Sequence, residues 1–194
     1  MADPGEVTAL LRAFDAGDTA AFDRLVPLVY DDLLRIARRQ LGRGPRATLD
    51  TSSLVHEAYM KLSGGAGAGY QNRSHLLAVA AVAMRQVVIG YARHHAAQRR
   101  GAGARHVTFD EREIAVDEQA EDLIAVDAAL ERLAQHDMRL GRVVECRFFA
   151  GLSEEETAQA LGVSLRTAQR DWQRARAWLI EDLRGPGAPP SGPP

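Results

Sequence analysis

Between Ser153 and Ser164 the chain has room for two turns of helix and one glycine, and both helices there carry their own start signal. Ser153-Glu-Glu-Glu156 has the form of a capping box, in which the serine hydroxyl accepts the Glu156 N–H and the Glu156 carboxylate reaches back. Three acids in that turn also suit the positive end of the helix dipole. The helix continues through Thr157, Ala158 and Leu161, Gly162 offers the positive φ of a tight turn, and Ser164 caps a longer helix running to about Leu183. A short capped helix, a glycine turn and a second capped helix make a helix-turn-helix over Leu152–Leu183, the arrangement that seats its second helix in the major groove of duplex DNA.

The second helix divides into two faces. Leu165, Ala168, Trp172, Ala175 and Leu179 recur at helical spacing and are expected to pack on Leu161 and Phe148. The other face carries Arg166, Gln169, Arg170, Gln173 and Arg174, side chains that reach guanine, adenine and phosphate. With Ser164 and Thr167 at the N-terminal end, which enters the groove, these residues form the candidate duplex-reading set.

Upstream the pattern is helical throughout, with no convincing strand. Val7, Leu10, Leu11 and Phe14 follow the i, i+3, i+4, i+7 template, and Gly17 ends that helix. Asp18 caps a longer one with the stripe Phe22, Leu25, Val26, Val29, Leu33, Ile36 and Ala37, in which Pro27 predicts a kink or break. A third helix starts near Asp50–Ser52 and runs to Leu62. The glycine-rich 64–69 segment reads as a loop, since no strand precedes it as a phosphate-binding motif requires. A long helix follows from Ser74 to about Gln98, apolar nearly all round in its first half and therefore expected at the centre of the core.

Charge sharpens the division. No Asp or Glu occurs from Ala58 to Phe109, whereas Lys61, Arg73, Arg85, Arg93, Arg99, Arg100 and Arg105 do; Asp110–Asp127 then holds eight acids against Arg112 alone. A basic block beside an acidic one points to a polyanion-binding unit followed by a solvated tether. The chain thus reads as all-α: a helical domain over 1–100, an acidic flexible linker over 101–122, a second helical domain over 123–184 holding the helix-turn-helix, and a Gly/Pro tail over 185–194 expected to be disordered. Within the basic block, Tyr70 and Tyr91 with Arg73, Arg85, Arg93, Arg99 and Arg100 supply what a single strand needs, aromatic faces for stacking and cations for the backbone.

Several classes are excluded. The longest apolar run, Leu76–Met84, has nine residues, too few to cross a bilayer, and Met1-Ala-Asp-Pro-Gly-Glu6 has neither the basic nor the apolar region of a signal peptide. The single cysteine, Cys146, reads as a buried small hydrophobe in a reducing, cytoplasmic setting. His56-Glu57 is not a zinc-peptidase motif, because the second ligand position is Met60, and His94-His95 and His106 have no second metal-ligating side chain of suitable type at helical spacing. No enzyme, cofactor or metal is expected.

Three stretches together resemble the extracytoplasmic function subgroup of sigma-70 type sigma factors. Asp50-Thr-Ser-Ser-Leu-Val-His-Glu-Ala-Tyr-Met-Lys-Leu62 is similar to the helix those factors dock on the clamp of the RNA polymerase β′ subunit. Tyr70–His75 through Met84–Arg93 and Gln98–Gly101 is similar to the segment that opens and holds the -10 element, and Leu152–Gly162 with Thr167–Leu179 to the -35 reader. The resemblance implies polymerase-contacting roles for Asp50, Ser53, Leu54, His56, Glu57, Met60 and Lys61. It adds Asn72 to the -10 set and assigns the duplex-reading set to the -35 element. It implies core RNA polymerase (β′ clamp and β flap) and promoter DNA as partners, and admits an anti-sigma protein. Many members have a tryptophan in the melting segment; here positions 79–83 are Val and Ala, which leaves Tyr70 and Tyr91 as the stacking candidates. The alternative, a regulator that binds duplex DNA without joining polymerase, calls for a sensor domain with strands or a phosphorylatable Asp pocket, and residues 1–100 contain neither pattern.

Overall fold

The computed structural model describes residues 4–42, 50–64, 69–101 and 111–184. Among them are eight α-helices, one π-helical turn and no strand: α1 (Pro4–Asp15), α2 (Thr19–Leu41), α3 (Thr51–Ser63), α4 (Arg73–Gly101), α5 (Glu111–His136), α6 (Met138–Val144), the π turn (Glu145–Ala150), α7 (Glu154–Leu161) and α8 (Leu165–Arg184).

Local sequence accounts for most boundaries. Gly17 takes φ +100° between α1 and α2, and Asp18 Oδ1 accepts the Ala21 N–H at 3.3 Å to start α2. Pro27 lies inside α2 without ending it, on the exposed side of the helix. Asp50 caps α3 and Asp137 caps α6. The reading of 101–122 as a flexible linker meets helix instead in its described part: α5 begins at Glu111. Residues 102–110 and the tail 185–194 lie outside the described residues.

Val7, Leu11 and Phe14 of α1 pack against Phe22, Leu25 and Val29 of α2, with the Phe14 and Phe22 rings 4.8 Å apart. Helix α4 is the centre of the molecule, as its all-round apolar pattern predicts: Leu76, Leu77, Ala80, Ala81 and Met84 are buried, and it touches α2, α3, α5, α7 and the π turn. Its window Arg73–His94, with mean hydropathy 1.5, is long and apolar enough to cross a membrane, which the nine-residue run alone is not. Some 56% of that window is buried inside the fold, as a core helix requires. The apolar cluster does not stop at α4. It continues through Leu130, Leu133, Leu140, Val144, Phe149 and Leu152 to Ala175 of α8, so both halves of the chain share it.

Candidate nucleic-acid interface

The helix-turn-helix is built as its sequence dictates. Ser153 Oγ accepts the Glu156 N–H at 3.1 Å and a Glu156 carboxylate oxygen accepts the Ser153 N–H at 2.8 Å, closing the capping box. Gly162 sits at φ +63°, and Ser164 Oγ accepts the Thr167 N–H at 3.2 Å. Each cap stabilises its helix by about 1 kcal/mol. The result is a rigid platform for α8.

On that platform Arg166, Gln169, Arg170, Gln173 and Arg174 are all exposed along one side of α8, with Ser164 and Thr167 at its start. Gln169 Nε2 donates to Glu154 of α7 at 2.6 Å. The inward face differs from expectation at two positions: Leu165 is exposed, and Asp171 joins Ala168 and Ala175 among the buried residues of α8. Leu165 lies in the first turn, before α8 reaches the body of the fold. Asp171 is tolerated inside because Arg139 Nε donates to its carboxylate at 2.6 Å. Asp182 is held likewise, by Arg132 across from α5, with Nε 3.1 Å from Oδ1. Sequence reading missed Arg139 and Asp171. The available signal was an acid three residues after Ala168 and four before Ala175, on a stripe otherwise apolar.

The acid-free span does not present itself as an open basic groove. Arg73 is paired with Asp32 and lies 3.7 Å from Glu156. Arg85 is paired with Asp127 and with Glu145 at 3.1 Å, and Arg93 reaches Asp127 at 3.0 Å. Burial pushes the Glu145 carboxyl above its usual range, against the pull of Arg85. Asn72 Oδ1 accepts the His75 N–H at the start of α4, and its Nδ2 donates to the Gln159 carbonyl at 3.2 Å. Tyr70 is buried, its ring 6.2 Å from Phe14 and its hydroxyl donating to the Leu62 carbonyl at 3.4 Å. It is a core residue with no face for a base. Tyr91 is 44% exposed. Arg99 and Arg100 lie on the last turn of α4, with side chains outside the described residues.

The α3 set separates by burial. The Asp50 carboxylate accepts the Ser53 N–H at 2.8 Å and the Ser53 hydroxyl at 2.9 Å, bonds that hold its carboxyl below the usual range. Both residues are therefore occupied in starting the helix. Leu54 is fully buried. His56, Glu57, Met60 and Lys61 form an exposed strip, with Met60 at 57% exposure and the His56 ring stacked 6.3 Å from Tyr59. Tyr59 is tied down by Asp23, whose carboxylate accepts its hydroxyl at 2.7 Å. Among the described residues no group of three His, Cys, Asp or Glu side chains is placed to hold a metal ion.

No curated protein matches the sequence significantly. Among solved structures, that of CnrH in complex with the cytosolic domain of CnrY is similar at 20% identity and a TM-score of 0.43, covering 92% of this chain and 97% of that one. The family model for ECF sigma factors matches residues 4–185, nearly the whole of the described fold. The chain belongs to the ECF sigma factor family.

Proposed function

We propose that the chain binds core RNA polymerase through the exposed α3 strip and directs it to promoters, with residues 1–100 engaging the -10 element and residues 123–184 the -35 element. The observation that carries the reading is the exposed line of Arg166, Gln169, Arg170, Gln173 and Arg174 on a helix whose start is fixed by the Ser164 cap and a left-handed glycine. Those side chains match the donor and acceptor code of the major groove, and a reader needs such rigidity to hold register.

For the -10 element the reading rests on Tyr91, exposed on α4, together with Arg93 and the cations that follow on the same helix. Stacking is worth about 1–3 kcal/mol per base, comparable with the cost of extruding one. Tyr70, being in the core, drops out of that role.

Reconstituted transcription with core enzyme and a promoter library tests the proposal. Specific initiation that depends on the added chain is the expected outcome. Binding of duplex DNA with no stimulation of initiation would establish the alternative, a regulator that does not join polymerase.

A further inference from the structure

Asp171 is 0% exposed, on the inward stripe of α8, the helix proposed to read duplex DNA. A carboxylate at that depth is costly unless cations compensate it. Three do. Arg139, in the first turn of α6, donates from Nε at 2.6 Å; Arg170 Nε lies 3.4 Å away and Arg174 Nη1 3.8 Å. The second terminal nitrogen of Arg174 is 4.0 Å from Asp137, whose carboxylate also caps α6. Each of the three arginine side chains remains roughly half exposed, so the groups are gripped at their inner edge and present the rest to solvent.

We propose that Asp171 is a positioning residue for duplex reading: its buried carboxylate clamps Arg139, Arg170 and Arg174 into one fixed array, and Arg139 of α6 is thereby part of the reading surface. This rests on α8 being the helix that reads duplex DNA. A free arginine gives up its rotamer freedom when it docks, and a clamped one has already done so. The distinction matters most for base edges, which demand fixed geometry. Phosphates respond to charge alone. Removing the carboxylate therefore adds positive charge while loosening the array, and the two kinds of contact move in opposite directions.

The experiment is Asp171→Asn in the full chain, with and without core RNA polymerase, titrated against a duplex selected by the wild type and a scrambled duplex of equal length. The ratio of the two affinities is expected to fall about tenfold or more. Affinity for the scrambled duplex should hold or rise, and its salt dependence should steepen. Partial unfolding scales both affinities together and leaves the ratio alone, so a purely structural role gives an unchanged ratio and overturns the inference. Relaxation of the arginine Nε–H groups in the wild-type chain needs no variant. Those of Arg139 and Arg170 should be rigid on the nanosecond scale, and mobility equal to that of Arg166 overturns the clamp. A wild type that prefers no duplex overturns the reading of α8 itself, an outcome distinct from either.

Discussion

Arg85 of α4 and Asp127 of α5 form an ion pair that ties the acid-free span to the acidic one, with side chains only 12% and 7% exposed. Neither could be placed at that depth alone, because an unpaired charge there loses its hydration without replacement. Asp127 also receives Arg93, and Arg85 also reaches Glu145, so the pair is the middle of a short chain of charges. The α4–α5 contact is thus polar at its core as well as apolar.

Asp127→Ala leaves Arg85 half-compensated and buried, and should destabilise the protein by about 3–5 kcal/mol. Urea denaturation followed by circular dichroism measures it. Arg85→Met combined with Asp127→Ala should recover most of the loss; a single-variant loss below about 1 kcal/mol would contradict the assigned burial.

Gly162→Ala isolates the turn of the helix-turn-helix. Nothing lies within 4 Å of the added Cβ, so its cost is the left-handed backbone alone, about 1 kcal/mol. Thermal melting should show a fall of a few degrees, with weaker duplex binding because α8 loses its fixed approach. An unchanged melt would mean that the turn relaxes to a negative φ.

Glu57→Ala and Leu54→Asp should separate cleanly. Glu57 is exposed on the α3 strip, so its loss should weaken co-purification with core polymerase and leave the melting temperature alone. Leu54 is fully buried, and a carboxylate there should unfold the α3 packing, by about 3 kcal/mol or more. Equal melting of both variants would remove the distinction.

Cys146 provides a probe of opening. Burial pushes its thiol up to about 12 from the ordinary 9.0, so it stays protonated in the folded chain at neutral pH. Because the folded value is the raised one, its contribution to stability is complete below pH 9 and is lost as the pH climbs from 9 towards 12. Alkylation at pH 8 should be slow in the native protein and fast in urea. Rapid modification without denaturant would place the thiol outside the core.

Arg170→Ala should weaken binding to one promoter motif by about 1–3 kcal/mol if it contacts a base, and nearly uniformly across sequences if it contacts phosphate. Competition titrations with single-base variants of the selected duplex distinguish the two.

The helices were legible from sequence because their signals are local. Asp18, Asp50, Ser153, Ser164, Gly17 and Gly162 act within four residues of themselves, and the apolar stripe of α4 needs no partner to be recognised. What sequence could not show was pairing at a distance. Arg73, Arg85 and Arg93 look like unopposed cations along the chain, yet their acids arrive from Asp32, Asp127, Glu145 and Glu156 through the fold. Tyr70 misled for a related reason: its neighbours in sequence are Gly69 and Gln71, but its neighbour in space is Phe14. An aromatic in a polar stretch can serve the core as well as a base.

The π turn at Glu145–Ala150 gives the segment between α6 and α7 a constraint on length as well as composition. Its wider coil takes up one residue more than an α-helix would over the same path. Removing one residue there would let the coil close to α geometry with the flanking phase kept, whereas adding a further residue would rotate everything downstream by about 100°. Phe149 and Leu152 would swing out of the core, and α7 and α8 would be presented in the wrong direction. Within this stretch substitutions of similar size are repairable by repacking, whereas an insertion changes the phase of α8 and has no local remedy.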